Sequence, residues 1–290
     1  MIVYLNGQYL PKTQAAISVD DRGFLFADGV YEVIRSYSGH LFRLKEHGHR
    51  LLRGLSALRI STAPLPELNE LAHKLLSENH LDNSEAIIYL QITRGAPPTR
   101  THAFPEASTT PTIYAAASPF FPPLEKRSKG IGAITVPDLR WARCDLKTIG
   151  LLPNCLAKQQ ALENGADEAI FVRDGVALEG STSNLFVVKD SLVVTNPKTN
   201  YILPGVTRQV VIELCYQQNI TLHESPILVE ALEAADEMFI THTTGEIVPV
   251  VRLNRQRVGN GTPGAITRRL QTAFTEMAVK FSPQWRYGSL

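Results

Sequence analysis

Apolar positions along this chain switch repeatedly between a period of two and a period near 3.6, which predicts strands interleaved with helices. The first residues read "IVYL-NG-QYLP", and Asn6-Gly7 between apolar runs marks a two-residue β-hairpin. Residues 29–44, "GVYEVIRSYSGHLFRL", predict two strands about Ser38-Gly39. Helical spacing follows. Leucines at 51, 52, 55 and 58 form a face over 45–60, and Leu68, Leu71, Leu75 and Leu76 repeat it over 64–80, with Pro66 near the start. Residues 86–95 and 110–120 return to strand patterning, joined by the Pro-rich loop "APPTRTHAFPEAST".

The second half is also mixed. "GIGAITVPDL", "EAIFVRDGVALEG" and "NLFVVKDSLVVTNP" are β-rich, with Asp174-Gly175 as a hairpin turn. Residues 156–165 are helical and end at Gly165, suited to a left-handed cap. Thr207 is the expected N-cap of a helix over 207–218. Residues 237–259 are β-rich again, and 263–281 form a final helix. Between the halves, "PFFPPLEKRSK" (119–129) combines prolines with a charge cluster and is the expected linker. The pattern therefore predicts an α+β chain with a smaller domain over 1–118 and a larger one over 130–290. Both carry mixed, largely antiparallel sheets with flanking helices.

Composition narrows the function. A chain of 290 residues, 44% hydrophobic and 20% charged, builds a real core. A net charge of +1 without a basic block argues against nucleic acid or an anionic membrane as partner. No apolar run approaches the roughly 20 residues of a membrane helix. The start lacks the basic and apolar regions of a signal peptide. Three cysteines, Cys144, Cys155 and Cys215, form no C-x-x-C pair, so a reducing, cytoplasmic setting is expected. His47 and His49 in "EHGHR" lack metal-ligand spacing, so they read as solvated or capping residues and no metal site is expected.

Several residues can carry chemistry, each with a plainer alternative. Lys147, in "RCDLKTIG", is either a solvated charge on an edge strand or an amine desolvated among Leu146, Ile149 and Leu151 and able to attack a carbonyl. Glu179, followed by Gly180 and the hydroxyls of Ser181, Thr182 and Ser183, is a polar turn or a carboxylate that keeps a pyridine nitrogen protonated. "LPGVTR" (203–208) is a capped helix start or an anion site built on backbone N–H groups. The threonines of "THTTGEI" offer a second place for phosphate oxygens. Arg50 can clamp a phosphate or lie on the surface. Arg100 and His102 in the Pro-rich loop, with Tyr31 in the early strand, can hold a carboxylate. Taken together, these features are the set that pyridoxal phosphate chemistry uses.

The ordered set "FADGVYEVIR", "EHGHR", "TRGAPPTRTHAFP", "LRWARCDLKTIGLLPN", "EGSTSN", "LPGVTR" and "TTGEIVPV" resembles the fold type IV pyridoxal-phosphate enzymes, and most closely the D-amino acid aminotransferases. The resemblance covers nearly the whole chain. It implies a homodimeric enzyme that moves an amino group from a D-amino acid such as D-alanine to 2-oxoglutarate or pyruvate by a ping-pong route. Lys147 then resembles the lysine that forms a Schiff base with pyridoxal 5'-phosphate and shuttles a proton, and Glu179 the partner of the ring nitrogen. Arg50, Val206, Thr207 and Thr243 resemble the phosphate-binding set. Leu203 resembles the apolar residue behind the ring, and Ser181, Thr182 and Ser183 a hydrogen-bond network there. Tyr31, Arg100 and His102 resemble the site for the substrate carboxylate, with the Arg-x-His loop supplied by the neighbouring subunit. Leu152 stands where branched-chain enzymes usually carry tyrosine, and His242 where a serine is common. The same fold also hosts aminodeoxychorismate lyases and branched-chain or R-amine transaminases, which remain alternatives. So does a non-catalytic binding protein, which visible absorption with added cofactor would exclude.

Overall fold

A computed structural model describes residues 1–63 and 65–281. The expected helix at 64–80 begins at Pro64, which lies outside the described residues, as do residues 282–290 of the expected larger domain. Contacts divide the chain into two compact units. The first holds Met1–Phe121, Leu146–Gly150 and the described residues from Ala278 on; the second holds Pro122–Asp145 and Leu151–Met277. The division differs from the sequence expectation in three places, one being that the described residues from Ala278 on join the first unit. The segment around Lys147 joins the first unit, not the larger second one. Half of the expected linker is α-helix, Leu124–Lys129, within the second unit.

The first unit contains β1 (Ile2–Leu5), β2 (Gln8–Pro11), α1 (Arg22–Phe26), β3 (Gly29–Tyr37), β4 (His40–Leu41), α2 (Leu44–Leu58), α3 (Leu68–Glu78), β5 (Ala86–Thr93) and β6 (Thr112–Pro119). Its strands form one antiparallel sheet in the order β2-β1-β6-β5-β3-β4. The hairpin expected at Asn6-Gly7 is present, both residues having positive φ as the tight turn requires. One sheet face carries Val30, Ile34, Ile88 and Leu90 against Leu51 and Leu55 of α2 and Leu71, Leu75 and Leu76 of α3, which is the core that the leucine spacing predicts. Leu52, on the flank of that spacing, stays exposed.

The second unit contains α4 (Leu124–Lys129), β7 (Ile131–Pro137), α5 (Leu152–Glu163), β8 (Glu168–Arg173), β9 (Val176–Gly180), β10 (Asn184–Lys189), β11 (Leu192–Thr195), α6 (Val206–Gln217), β12 (Leu222–Glu224), α7 (Val229–Glu233), β13 (Glu237–His242), β14 (Glu246–Leu253), β15 (Gln256–Arg257) and most of α8 (Ala265–Phe281). Its sheet runs β12-β11-β10-β13-β14-β7-β8-β9, with β15 on β14. Three pairings, β11–β12, β14–β7 and β7–β8, are parallel. β9 also pairs with β10 through Glu179 and Asn184, so strands from β10 round to β9 close into a ring. Alternating side chains such as Ile131, Ile170, Leu185, Met238, Ile240 and Val248 share a core in this unit. Asp174-Gly175 makes the expected hairpin turn, and Gly165, at φ +68°, follows α5 in the left-handed conformation expected of it. No described helix is long and apolar enough to cross a membrane.

Candidate active site

In the first unit the strand period decides which residue faces what. Even positions of β3 turn toward α2, and Glu32 lies on that face between Val30 and Ile34. His47 and Arg50, three apart on α2, meet it. Arg50 donates from Nε to Glu32 Oε1 at 2.7 Å and from Nη2 to Oε2 at 2.8 Å, a two-point fork. His47 Nδ1 lies 2.8 Å from Glu32 Oε2. Burial works against the Glu32 charge, but Arg50 and His47 outweigh it and hold the carboxyl down at about 2. The carboxylate is therefore ionised, so His47 Nδ1 carries the shared proton. Burial, with the charges of Arg50 and Lys147 behind it, keeps His47 below the ordinary imidazole value. The expectation of a solvated or capping His47 thus fails: the ring is buried and serves Glu32.

This cluster has a measurable consequence. A carboxyl at about 2 in the folded chain and 4.5 in its ordinary state contributes stability that is present above 4.5 and lost as pH falls through 2. The gap corresponds to about 3 kcal/mol. In acid unfolding of the cofactor-free protein, Glu32→Gln should be less stable than wild type at pH 7, and the two should converge near pH 2. Parallel curves across that range would remove this role for Glu32.

Odd positions of β3 face the other way. Tyr31 stands 5.9 Å from Tyr89, whose ring is 6.2 Å from Tyr114. Residues 146–150 lie along the start of β3: Tyr31 N–H donates to Lys147 O at 3.0 Å, Ile149 N–H donates to Gly29 O at 3.1 Å, and Val30 bridges Thr148. Leu146 and Thr148 are buried, while Lys147 between them is half-buried. Its Nζ lies 4.1 Å from the centre of the Tyr31 ring. Lys147 is thus not on a long edge strand. It is presented from a single bridge against an aromatic face. Arg100 and His102 lie on the exposed loop after β5, where the Arg100 guanidinium is 4.8 Å from the Phe26 ring centre and the His102 ring 5.4 Å.

In the second unit, Glu179 is buried at the strand pair that closes the ring. Its Oε1 accepts from Arg140 Nη1 at 2.5 Å; its Oε2 accepts from Asn184 Nδ2 at 3.0 Å and from Leu203 N–H at 2.9 Å. Arg140 also donates to both oxygens of buried Asp138, at 2.8 and 3.1 Å. Burial pushes the Glu179 carboxyl up to about 7 against the pull of Arg140. Asn184 donates onward to Leu203 O at 2.8 Å, fixing the turn before α6. Ser181 and Ser183 are buried on Glu168, whose carboxylate takes both hydroxyls, the second at 2.9 Å, and the N–H groups of Ala169 and Ser181. Thr182 between them is exposed. The expected hydroxyl cluster is therefore split, two inward and one outward.

The start of α6 corrects a further expectation. Its N-cap is Gly205, not Thr207, which lies buried as the second helical residue. Gly205 takes an extended conformation, φ −65° and ψ 137°, and a Cβ there would run into the Asn184 amide. No side chain caps this end, so its first N–H groups remain available to an anion. Thr243 lies in the turn between β13 and β14. Beside it, His242 Nδ1 accepts from Gly245 N–H at 3.0 Å, and burial pushes this imidazole down to about 4. It is neutral at pH 7 and adds no charge to the turn. Glu32, Arg140, Asp138 and Glu168 carry no role in the sequence expectations, and His47 carries a different one. The signals were there for two of them: Glu32 shares the parity of Val30 and Ile34, and His47 shares a helix face with Arg50 and Leu51.

The chain matches the family model described as amino-transferase class IV over residues 29–253. It is 40% identical over 273 residues to a D-alanine aminotransferase of Staphylococcus epidermidis, covering 94% of this chain and 96% of the relative. Among solved structures it is similar to the branched-chain amino acid aminotransferase of Escherichia coli, with a TM-score of 0.87, 28% identity and coverage of 99% of this chain and 97% of that one. The T.th. branched-chain amino acid aminotransferase, complexed with N-(5'-phosphopyridoxyl)-L-glutamate, matches with a TM-score of 0.84 and 26% identity over 98% of this chain and 95% of that one.

Proposed function

The chain belongs to the class IV aminotransferases, and from that premise we propose that it is a pyridoxal-phosphate-dependent transaminase of D-amino acids, with D-alanine as donor and 2-oxoglutarate or pyruvate as acceptor. The observation that carries it is the setting of Glu179. A carboxylate offers about four acceptor positions, and Arg140, Asn184 and Leu203 N–H fill three. The fourth suits a protonated pyridine nitrogen, whose charge also compensates a carboxylate that burial disfavours. The uncapped start of α6 suits a phosphate. When bound, pyridoxal phosphate supplies the aldehyde that exchanges amino groups and the ring that accepts electron density.

The remaining work falls to the chain. Lys147 Nζ holds the cofactor and moves the α-proton of the substrate. Glu179 keeps the ring nitrogen protonated, and Asp138 with Arg140 keeps Glu179 in place. Arg50, set by Glu32 and His47, joins Val206, Thr207 and Thr243 in holding phosphate. Leu203 backs the ring, and Ser181 and Ser183 stiffen the turn beside Glu179 through Glu168, with Thr182 on its outer side. Tyr31, Arg100 and His102 bind the substrate carboxylate. The exposure of Arg100 and His102 fits a homodimer in which this loop serves the neighbouring protomer. The three cysteines are free, which fits a reducing, cytoplasmic setting.

The D preference rests on the 40% identity to a D-alanine aminotransferase, against 28% to the branched-chain structure, and on Arg100-x-His102. The test is a panel of D- and L-amino acids with 2-oxoglutarate and pyruvate as acceptors. Turnover of D-alanine with L-alanine inert is expected. Faster turnover of L-leucine than of any D-amino acid would assign the branched-chain activity instead. Pyruvate release from aminodeoxychorismate without an acceptor would assign a lyase.

A further inference from the structure

We propose that Arg22 is a positioning residue for substrate binding: by gripping the carbonyls on either side of His102, it sets the loop that presents Arg100 and His102 to the substrate carboxylate. The inference rests on the reading of that loop as the carboxylate clamp. Arg22 opens α1 and is only 4% exposed. Its Nη1 donates to Thr101 O at 2.5 Å and to Ala103 O at 3.2 Å, and its Nε to Asp28 Oδ2 at 2.8 Å. One guanidinium thus ties a fixed carboxylate to the two peptide groups that flank the imidazole.

The ring of Phe26, one turn along α1, is shared by the same groups. The guanidinium carbons of Arg22 and Arg100 each lie 4.8 Å from its centre, and the His102 ring lies 5.4 Å away. A second anchor holds the far end of the loop. The Phe104 ring lies 3.8 Å from the Arg94 guanidinium and 4.7 Å from that of Arg59. Arg94 reaches back to the same carboxylate, with Nε 2.7 Å from Asp28 Oδ2 and Nη2 3.0 Å from Oδ1, and donates to the carbonyls of Leu58 and Arg59 at the end of α2. Asp28 is therefore the shared post of both anchors. Burial opposes its charge, and the bonds from Arg94 and Arg22 more than offset that and hold it below the usual carboxylate range.

The loop needs such ties. Residues 94–111 form no strand or helix, and Arg100 to Phe104 are exposed, so no ladder orders them. An untethered loop would lose conformational entropy each time it gathered a substrate. The grip is also specific to arginine. Lysine can reach Asp28, but its single ammonium does not reproduce the fork that meets Asp28 and two carbonyls together. Close packing supports the placement of α1: a Cβ at Gly23 would collide with the Thr93 side chain of β5.

The experiment compares the holoenzymes of wild type, Arg22→Lys, Arg100→Ala and the double variant with D-alanine. Arg22→Lys should raise KM about tenfold or more, leave kcat within about threefold, and keep the visible absorption and Tm of wild type. Because His102 remains when Arg100 is removed, Arg22→Lys should raise KM less in the Arg100→Ala background than it does alone. An unchanged KM in Arg22→Lys, a drop in kcat and Tm instead, or effects that add in full would each overturn the inference while leaving the clamp intact. An unchanged KM in Arg100→Ala would overturn the clamp reading itself. Should Arg22→Lys fail to fold, Phe104→Leu, at an exposed position that loosens the other anchor, must give the same rise in KM and the same lack of additivity, or the inference falls.

Discussion

Alanine in place of Lys147 should leave a folded protein that binds pyridoxal phosphate without a covalent bond, lacks the visible band of the holoenzyme, and has lost transamination by at least a factor on the order of 10²–10⁴, the range that a single proton-transfer group supplies. The fold should survive because the segment is held by its backbone. The bonds from Tyr31 N–H to Lys147 O and from Ile149 N–H to Gly29 O do not involve the side chain, and Leu146 and Thr148 stay buried on either side. What goes is the amine 4.1 Å from the Tyr31 ring centre. The loss should be chemical and not one of affinity: cofactor titration should still saturate through the residues assigned to phosphate and ring nitrogen, and an added small amine should restore part of the rate. Normal turnover in this variant, with the visible band intact, would transfer the role to another residue.

Much of the fold could be read from sequence because its cues were local. Asn6-Gly7 and Asp174-Gly175 sit in turns that need positive φ at both positions, which few other residues tolerate. The leucines of α2 and α3 repeat over enough turns to define a face, and Leu51, Leu55, Leu71, Leu75 and Leu76 all reach the core. Where the cue was not periodic, the structure departs from the pattern. The segment Leu146–Gly150 joins the first unit through a single bridge to β3, too short to leave a repeat in the sequence. In 119–129 the prolines hid a short helix that begins just past Pro123. At α6 a good N-cap residue was present, but Gly205, forced by the Asn184 amide, ends the extended segment two residues earlier.

The candidate site follows the same rule. Lys147, Glu179, Arg50 and Arg100 drew attention because their types suit the chemistry and their motifs occur in a recognisable order. Most of their supports did not, since they lie far away in sequence: Arg140 is 39 residues from Glu179, and Glu32 is 18 from Arg50. A support residue is defined by a contact, and no spacing rule reaches across a sheet. Glu168 shows it well. An acidic residue opening β8 has no local meaning, yet it accepts both buried serine hydroxyls of the turn after Glu179.

Glutamine at position 179 is the sharpest test of the second unit. The substitution keeps size, its one amide oxygen can accept from Asn184 and Leu203 N–H, and Arg140 keeps Asp138 as partner, so the fold should hold. What disappears is the negative charge proposed to face the ring nitrogen. Breaking a buried charge pair from one side costs about 3–5 kcal/mol, so kcat should fall by roughly two to four orders of magnitude while Lys147 still holds the cofactor. The cofactor-free protein offers a check that does not depend on activity. With its folded value raised from 4.5 to about 7, Glu179 keeps a proton that the unfolded chain has already released across that window. Its contribution to stability therefore declines as pH rises from 4.5 to 7. Glutamine cannot titrate, so Glu179→Gln should lose less stability than wild type over that range. A wild-type kcat would remove Glu179 from the chemistry. Identical pH profiles of stability would show that burial does not raise its carboxyl, and with that would go the reason for expecting a cation beside it.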